Sequence, residues 1–284
     1  MKAYILKRYG KNEKFYFSEV AKPTINDNEV LVEIYAASVN QIDAKIRNGE
    51  FKLILPFKLP FVLGHDLAGI VTNVGKKVSK FKIGDEVFAS CKGTFAEFIA
   101  VNENDLALKP KNISMEEAAS IPLVGLTAWQ ALIEKGNLKK GQKVFIQAGS
   151  GGVGTIAIQL AKHLGAFVAT TTSSANKDLV KSLGADLIID YKTGDFETIL
   201  KDYDLVLNSQ DAKTLEKSLK VLKPTGKVIS ISGPPDVEFA NEAGLPWFLK
   251  FAMRLLSFSI RRKAKQLNLS YSFLFMRANG KQLS

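Results

Sequence analysis

The sequence has very little cysteine and histidine: one cysteine, Cys91, and two histidines among 284 residues. A single cysteine excludes an intramolecular disulfide framework and a structural zinc lobe built from several cysteines. A reducing compartment, the cytoplasm, is therefore the expected location. Residues 1–10 have the pattern of an opening strand, and no apolar stretch with the length found in signal peptides follows them.

Acidic residues are also scarce relative to basic ones, because 28 Asp and Glu stand against 39 Lys and Arg and leave a formal net charge of +11. Such an excess attracts phosphate-rich partners, either nucleic acids or anionic membranes. Most of it is scattered along the chain, and the sequence has no RNA-binding motif and no platform of interleaved aromatic and basic residues. We therefore expect no nucleic-acid partner.

One segment, residues 250–265, does concentrate positive charge. Its cations fall on roughly one helical stripe, which holds Lys250, Arg254, Arg261 and Lys265. The opposite face is apolar and includes Phe248, Phe251, Ala252 and Leu255. Charges interrupt the apolar run too often for a transmembrane span. The pattern predicts an amphipathic helix that packs on its own protein near the substrate cleft. The alternative is contact of residues 245–265 with a membrane surface or a partner.

Two patterns of secondary structure divide the chain. The first part is rich in strands separated by glycine and asparagine turns, with strands predicted to begin at Glu29, Leu67, Asp85 and Gly93. From about Pro122, helices alternate with the short apolar strands KVFIQ, FVATTT, LIIDY, LVLNS, GKVISIS and YSFLFM. This alternation predicts an α/β fold with a doubly wound parallel sheet. We expect a β-rich domain over residues 1–120 and the parallel-sheet domain over residues 121–284.

The segment QAGSGGVGTIAIQLAK, residues 147–162, has the pattern of a strand that turns sharply into a helix. Gly149, Gly151 and Gly154 match G-x-G-x-x-G. In dinucleotide-binding folds the first glycine allows the turn, the second lets the backbone approach a pyrophosphate, and the third permits close helix packing. The helix N-terminus adds N–H donors. A glycine-rich turn without a ligand is the alternative, but the strand before and the helix after it favour a nucleotide site.

The residues that follow the strand FVATTT, the second strand of the predicted parallel sheet, indicate which dinucleotide binds. An NAD site would place Asp or Glu about twenty residues after the glycines, where it binds the ribose hydroxyls. This chain has small polar residues there and then a cation, which suit a 2′-phosphate, so NADPH is the predicted cofactor. The predicted cofactor-binding residues are Gly149, Ser150, Gly151, Gly152, Val153, Gly154, Thr172, Ser173, Ser174, Asn176 and Lys177. Lys177 as a merely solvated lysine is the alternative for that residue.

Six sequence blocks, in this order, carry a resemblance to a known family: AASVNQIDAKIRNG, LGHDLAGIVTNVG, GTFAEFIAV, EEAASIPLVGLTAWQAL, AGSGGVG and SLGADLIIDY. The chain resembles the medium-chain dehydrogenase/reductases, in which a GroES-like catalytic domain is joined to a Rossmann domain. Within them it is similar to the quinone oxidoreductase branch and its NADPH-dependent alkenal/one oxidoreductases. The resemblance implies a small hydrophobic carbonyl or quinone substrate. It also implies a homodimer joined near residues 271–276.

The resemblance allows a test for catalytic zinc. Zinc-dependent members bind the metal through a cysteine, the histidine of a G-H-E motif and a second cysteine. In this chain Asn40 replaces the first cysteine, and His65 corresponds to the histidine of the motif. Residues 123–127, where the second cysteine would lie, contain no cysteine. One imidazole cannot make a catalytic zinc site, which normally has three protein ligands. We therefore expect no metal, and we expect His65 to be a hydrogen-bonded polar residue of the cleft or the core.

Roles for further residues also follow from the resemblance. Lys45 is the leading candidate for a donor that stabilises negative charge developing on the acceptor, with a surface lysine as the alternative. Asn40 and Thr127 match positions that border the nicotinamide in relatives, and Tyr191 matches one beside the 2′-phosphate. Phe51 stands where some quinone reductases have tyrosine, so no protein proton donor is identified and solvent is the alternative source.

Relatives usually continue for several tens of residues beyond the end of this sequence, so we expect the segment that completes their catalytic domain to be missing here. Three hypotheses about function remain. The first is an NADPH-dependent, zinc-independent reductase of α,β-unsaturated carbonyls or quinones. The second is a non-catalytic NADPH-binding or structural protein of the same family, which turnover would exclude. The third, and least favoured, is the nucleic-acid-binding role that the net charge suggests, which salt-dependent RNA binding without competition from NADPH would support.

Overall fold

The computed structural model describes residues 1–52 and 57–284, and these divide into two compact units. The first unit holds Met1–Leu126 and Arg277–Ser284, and the second holds Thr127–Met276. The structure thus differs from the predicted division at residue 120, because residues 121–126 and 277–284 belong to the first unit.

The return of the last residues to the first unit has a clear physical basis. Gly280 N–H donates to the carbonyl of Asn104 at 2.7 Å, and a Cβ on Gly280 would overlap the carbonyl oxygen of Leu106. Leu283 packs against the buried cluster that contains Phe88. Only a glycine allows this close approach, so the sequence at this position favours docking of the terminal segment.

The first unit is built from antiparallel sheets, as predicted for a β-rich domain. A three-stranded sheet has the order β2-β1-β4, and a five-stranded sheet has the order β7-β3-β5-β6-β8. The strands are β1 (Lys2–Leu6), β2 (Tyr16–Glu19), β3 (Glu29–Ser38), β4 (Phe61–Val62), β5 (Asp66–Val74), β6 (Glu86–Ser90), β7 (Phe98–Asn102) and β8 (Leu106–Leu108). The helices are α1 (Gln41–Asn48), α2 (Met115–Ala119) and, in the terminal segment, α11 (Gly280–Leu283).

The second unit contains a six-stranded sheet in which every pair of neighbours is parallel, with the order β11-β10-β9-β12-β13-β14. The strands are β9 (Lys143–Ile146), β10 (Phe167–Thr172), β11 (Leu187–Asp190), β12 (Tyr203–Asn208), β13 (Leu222–Ser230) and β14 (Ser270–Phe273). The predicted doubly wound sheet is confirmed. The homodimer implied at its β14 edge stays a prediction.

Helices alternate with these strands. They are α4 (Gly152–His163), α5 (Lys177–Ser182), α6 (Phe196–Ile199), α7 (Ala212–Leu219), α8 (Val237–Glu242), α9 (Trp247–Leu256) and α10 (Phe258–Gln266). Before them, α3 (Pro122–Trp129) leads into a π-helical turn, Gln130–Lys135. The core lies where α4 packs on the sheet, and there Ile158 and Ile146 are fully buried. None of the helices in the described ranges has the length and apolar character needed to cross a membrane.

The order of the parallel strands creates a switch point at β9 and β12. From β9 the chain winds to β10 and β11 on one side, and from β12 it winds to β13 and β14 on the other. In open α/β sheets, ligands bind beyond the carboxyl ends of the strands at such a point. The glycine-rich segment after β9 lies at this end of the sheet.

The predicted amphipathic helix at residues 250–265 is different in the structure. It is two helices, α9 and α10, with Ser257 between them. Of its predicted apolar face, Phe248, Phe251 and Leu255 are exposed, and the buried residue of α9 is Met253. Both helices pack on the protein as predicted, but through Met253 of α9 and through Ile260 and Ala264 of α10. The predicted face is wrong, because α9 is apolar on two sides and the side that faces the core is the one with Met253.

Candidate functional site

The strand, turn and helix around the glycine motif are confirmed. β9 ends at Ile146, and α4 begins at Gly152 with Gly151 as its N-cap. The left-handed residue of the turn is Ala148, with φ of 51°, rather than one of the glycines. Gly149 is required for a different reason, since a Cβ there would overlap the side chain of Thr170.

The other two motif glycines have different surroundings. A Cβ on Gly154 would overlap the carbonyl oxygen of Ala148 and lie 2.7 Å from the Cα of Gly149, so the third glycine permits close helix packing as predicted. A Cβ on Gly151 would have one close neighbour, the Ala148 oxygen at 3.3 Å. Gly149 and Gly154 are therefore needed for the close packing of the turn and the helix. Gly151 is exposed, and the space beside its backbone is open to a ligand.

The first backbone N–H groups of α4 have no hydrogen-bond acceptor among the described residues. The first helical hydrogen bond is donated by Thr155 N to the carbonyl of Gly151 at 2.9 Å. Within the described ranges, the N–H groups of Gly152, Val153 and Gly154 therefore have no acceptor. Together with the positive end of the helix dipole, these donors form an anion site of the kind that holds a pyrophosphate.

Three of the predicted cofactor residues are brought into direct contact. The hydroxyl of Thr172 donates to Ser150 Oγ at 2.9 Å, and Asn176 Nδ2 donates to the same oxygen at 3.3 Å. These contacts join the glycine turn, the end of β10 and the short 3₁₀ turn Ser174–Asn176. Ser173 caps that turn, and Lys177 follows as the exposed first residue of α5. The polar cluster predicted for a 2′-phosphate is thus assembled at one place.

An acidic residue that is not among the predicted site residues, Asp190, lies beside this cluster. Asp190 pairs in register with Thr172, and its Oδ2 accepts from Ser174 N at 3.0 Å. Its Oδ1 accepts from Lys192 N at 2.9 Å. The acid that binds the ribose hydroxyls in an NAD site ends the second strand of the sheet, whereas Asp190 ends the third, β11. Its position next to the predicted residue Tyr191, which is exposed, is the sequence feature that could have found it.

A buried polar network stabilises the carboxyl ends of three neighbouring strands. Asn208 Nδ2 donates to Gln147 Oε1 at 2.7 Å, and Ser230 Oγ donates to Asn208 Oδ1 at 2.6 Å. Gln147 Nε2 in turn donates to Ser218 Oγ at 2.6 Å. A fully bonded buried network holds its members in one arrangement. It therefore holds the strands rigidly at the switch point of the sheet, and no local sequence pattern predicts it because its members are far apart in the chain.

In the first unit, the residues at the position that binds zinc in zinc-dependent members of the family form a hydrogen-bonded group. His65 Nδ1 lies 2.6 Å from Asp43 Oδ1, and Asp43 Oδ2 accepts from the backbone N–H of Asn40 at 2.7 Å. Asp43 is fully buried in α1, and His65 is nearly so. The expectation that His65 is a hydrogen-bonded polar residue is confirmed.

A second buried carboxylate, Asp66, adjoins this group. Its Oδ2 accepts from Asn40 Nδ2 at 2.9 Å, and its Oδ1 accepts from Leu123 N at 2.9 Å. Burial raises the pKa of Asp66 to about 6, and the hydrogen bonds, including that from Asn40, act in the opposite direction without offsetting it. The predicted residue Asn40 is therefore positioned by two aspartates through its backbone and its side chain.

The remaining predicted residues are placed as follows. Lys45 lies on α1 and is half-buried, and within the described ranges its ammonium group has no hydrogen-bond or ion-pair partner. Such a cation is available to a ligand. Thr127 lies on α3 and is buried, and Phe51 is half-buried. Asn40 and Lys45 belong to the first unit, and the residues predicted to bind the nucleotide belong to the second.

The donor set around His65 does not fit a zinc ion. Across residues 1–52 and 57–284, no group of three or more His, Cys, Asp and Glu side chains is arranged to hold a metal. One imidazole nitrogen of His65 is already bonded to Asp43, and the neighbouring side chain at the first ligand position is the amide of Asn40. Catalytic zinc sites use three His, Cys, Asp or Glu ligands.

Comparison with known proteins gives matches over both units. Residues 26–111 match the alcohol dehydrogenase GroES-like domain, and residues 152–259 match the zinc-binding dehydrogenase family. The chain is 41% identical to 2-methylene-furan-3-one reductase of Solanum lycopersicum over 255 residues. It is 39% identical to the chloroplastic NADPH-dependent alkenal/one oxidoreductase of Arabidopsis thaliana, also over 255 residues. Each match covers 84% of this chain and 65% of the relative.

A solved structure extends the similarity to the whole fold. The quinone oxidoreductase from Coxiella burnetii superposes with a TM-score of 0.82 and 31% sequence identity. The superposition covers 100% of this chain and 85% of that one. Similarity of this extent and identity is that of a common family.

Proposed function

The chain belongs to the medium-chain dehydrogenase/reductase superfamily, and on that premise we propose that it is an NADPH-dependent, zinc-independent oxidoreductase of α,β-unsaturated carbonyls or quinones. The family membership rests on matches to both units. The choice of activity rests on the residues described above and on the names of the relatives, which include an alkenal/one oxidoreductase and a quinone oxidoreductase.

The observation that carries the proposal is the polar cluster beside a free helix N-terminus. The N–H groups of Gly152, Val153 and Gly154 would bind the pyrophosphate, and the space at Gly151 admits it. Ser150 and Asn176 would bind the 2′-phosphate, with Lys177 supplying a positive charge. The residues present therefore fit NADPH. When bound, this cofactor supplies a hydride.

A substrate that carries its own electrophilic centre fits a site without zinc. Conjugated carbonyls and quinones accept hydride because the negative charge that develops spreads onto an oxygen. Lys45 would stabilise that oxygen with its ammonium group, which has no acidic partner in the described part of the chain. Asn40 would orient the reacting groups from a position held by Asp43 and Asp66. Solvent would supply the proton that completes the reduction.

The experiment that tests the proposal is NADPH oxidation by the purified chain with a short enone, a longer 2-alkenal and a quinone, repeated with NADH and with a chelator. We expect turnover that prefers NADPH and does not change on chelation. A variant, Lys45→Gln, should lower kcat/KM by about a hundredfold, as is typical for loss of one donor to a developing oxyanion. Lys45→Arg should retain more activity because it keeps the charge.

The matched control is Arg47→Gln on the same helix. The guanidinium of Arg47 donates to the neighbouring Asn48 Oδ1 at 3.0 Å, so its loss should leave kcat/KM unchanged within about twofold. NADPH binding without turnover of any acceptor would contradict the proposed activity and support the non-catalytic hypothesis. Loss of turnover on chelation, with recovery on adding zinc, would contradict zinc independence.

A further inference from the structure

Large apolar side chains are exposed together along α9 and the first residue of α10. Apolar side chains of this size are exposed singly on most proteins, whereas a contiguous group marks an interaction surface. The exposed fractions are 79% for Trp247, 55% for Phe248, 57% for Phe251, 60% for Leu255, 59% for Leu256 and 57% for Phe258. We refer to these six residues as the apolar patch.

The patch is continuous because of its spacing on the helix. Trp247, Phe251 and Leu255 are each four residues apart and therefore lie one above the other on one face of α9. The rings of Trp247 and Phe248 are in edge-to-face contact, with centroids 6.1 Å apart. The patch is not the face that α9 uses for the core, since Met253, on the other side, is the residue that is buried.

Basic side chains border the patch. Arg254 on α9 is exposed, and so are Arg261, Arg262 and Lys265 on α10. In the part of the chain that the structure describes, none of these four forms an ion pair with an acid, whereas their neighbour Lys263 is paired with Glu216 at 2.7 Å. We refer to these four residues as the basic rim. The buried face of α10 is formed instead by Ile260 and Ala264.

We propose that the apolar patch and the basic rim bind together to the surface of an anionic lipid membrane. Aromatic and aliphatic side chains of an interfacial helix enter the boundary between headgroups and acyl chains, while Arg and Lys contact the phosphates. Trp247 and the three phenylalanines of the patch suit the first role, and the guanidinium groups of the basic rim suit the second. The helices lie on the membrane and do not cross it, consistent with their length.

The charges favour a membrane over a second copy of the chain. Self-association through this surface would bring two basic rims together on molecules of net charge +11, and juxtaposed like charges oppose association. An anionic bilayer instead neutralises the rim while it covers the patch. No residue of the apolar patch or the basic rim is among those proposed to bind NADPH or to act in the reaction, so loss of membrane binding and loss of turnover are distinguishable.

The test is flotation of the full chain with lipid vesicles, without cofactor or substrate. We expect binding to phosphatidylcholine vesicles that contain about 30% phosphatidylserine, weaker binding in high salt, and little binding to phosphatidylcholine alone. The double variant Arg261→Glu/Arg262→Glu should lower the partition coefficient by at least about tenfold. Its matched control, Lys76→Glu/Lys111→Glu, makes the same change in net charge at exposed lysines far along the sequence and should retain most of the binding.

The apolar contribution needs its own pair of variants. Trp247→Ser/Phe251→Ser should lose binding even in low salt, whereas Tyr35→Ser, which removes a side chain that is 68% exposed in the first unit, should not. Thermal melting curves establish that each variant is folded. Equal losses in the two charge-reversal variants would overturn the proposal, because net charge alone would then explain binding. A change from dimer to monomer in the Trp247/Phe251 variant, with unchanged flotation, would overturn it in favour of self-association.

Discussion

His65 Nδ1 donates a hydrogen bond to Asp43 Oδ1 at 2.6 Å, and both side chains are buried in the first unit. The carboxylate is an acceptor only, so it selects the tautomer in which Nδ1 carries the proton. The position that binds metal in zinc-dependent relatives thus holds a histidine whose orientation is set by a carboxylate. In this chain the imidazole is a hydrogen-bond partner of the buried Asp43 side chain.

Removal of this partner should destabilise the fold. His65→Ala leaves the buried carboxylate of Asp43 without its imidazole donor, and we expect the free energy of unfolding to fall by about 3 kcal/mol. Urea denaturation measures the difference. The other histidine supplies the control: His163 lies exposed in the last turn of α4, so His163→Ala should change stability by less than about 0.5 kcal/mol. Equal effects of the two substitutions would contradict the assigned role of His65.

The raised pKa of Asp66 makes stability depend on pH in a predictable direction. Its pKa of about 6 in the folded chain exceeds that of an exposed aspartate, so between about pH 4 and pH 6 the folded state binds a proton that the unfolded state does not. The contribution of Asp66 to the free energy of unfolding should therefore decrease as the pH rises through this range, by up to about 3 kcal/mol. Above about pH 6 its contribution should be constant.

The variant Asp66→Asn isolates this contribution. Its stability relative to the parent chain, measured by urea denaturation from pH 4 to pH 8, should improve as the pH rises to about 6 and then level off. Asp202→Asn is the control, because Asp202 is exposed and its left-handed backbone, with φ of 61°, also suits asparagine. A pH-independent difference between Asp66→Asn and the parent chain would show that Asp66 does not titrate in this range.

The motif glycines should separate into two classes. Gly149→Ala and Gly154→Ala place a methyl group against the Thr170 side chain and the Ala148 oxygen, so each should lower the free energy of unfolding by about 1–3 kcal/mol. Gly151→Ala has more room, and its cost should be below about 1 kcal/mol. It should nevertheless weaken NADPH binding, because the methyl group occupies space that the pyrophosphate needs. Thermal melting and NADPH titration distinguish the two classes, and full NADPH affinity in Gly151→Ala would exclude this placement of the pyrophosphate.

Cofactor preference should depend on Lys177. Lys177→Glu replaces a charge expected to bind the 2′-phosphate, so the Kd for NADPH should rise about tenfold or more while that for NADH changes little. Lys181→Glu makes the same charge change in the last turn of the same helix and should affect neither Kd by more than about twofold. Fluorescence titration with both cofactors is the measurement. A parallel loss of NADH affinity would show that Lys177 does not recognise the 2′-phosphate.

The predictions from sequence were most successful where one local pattern carries the information. The segment around Gly149 specifies strand, turn and helix within a few residues, and the alternation of helices and apolar strands specifies the parallel sheet. Asp190 was missed because its proximity to Ser174 depends on the register of two strands. The network of Gln147, Asn208 and Ser230 joins three strands that are far apart in the chain, so no local pattern indicates it.

The sequence by itself determined the fold class, the nucleotide motif and the absence of the cysteine ligands that zinc would need. These properties follow from short-range geometry and from residue chemistry. Only the tertiary structure decided which face of α9 is buried, since that helix is apolar on two sides and periodicity cannot choose between them. It also decided the pKa of Asp66 and the return of residues 277–284 to the first unit, because both depend on groups that folding brings close from distant parts of the chain.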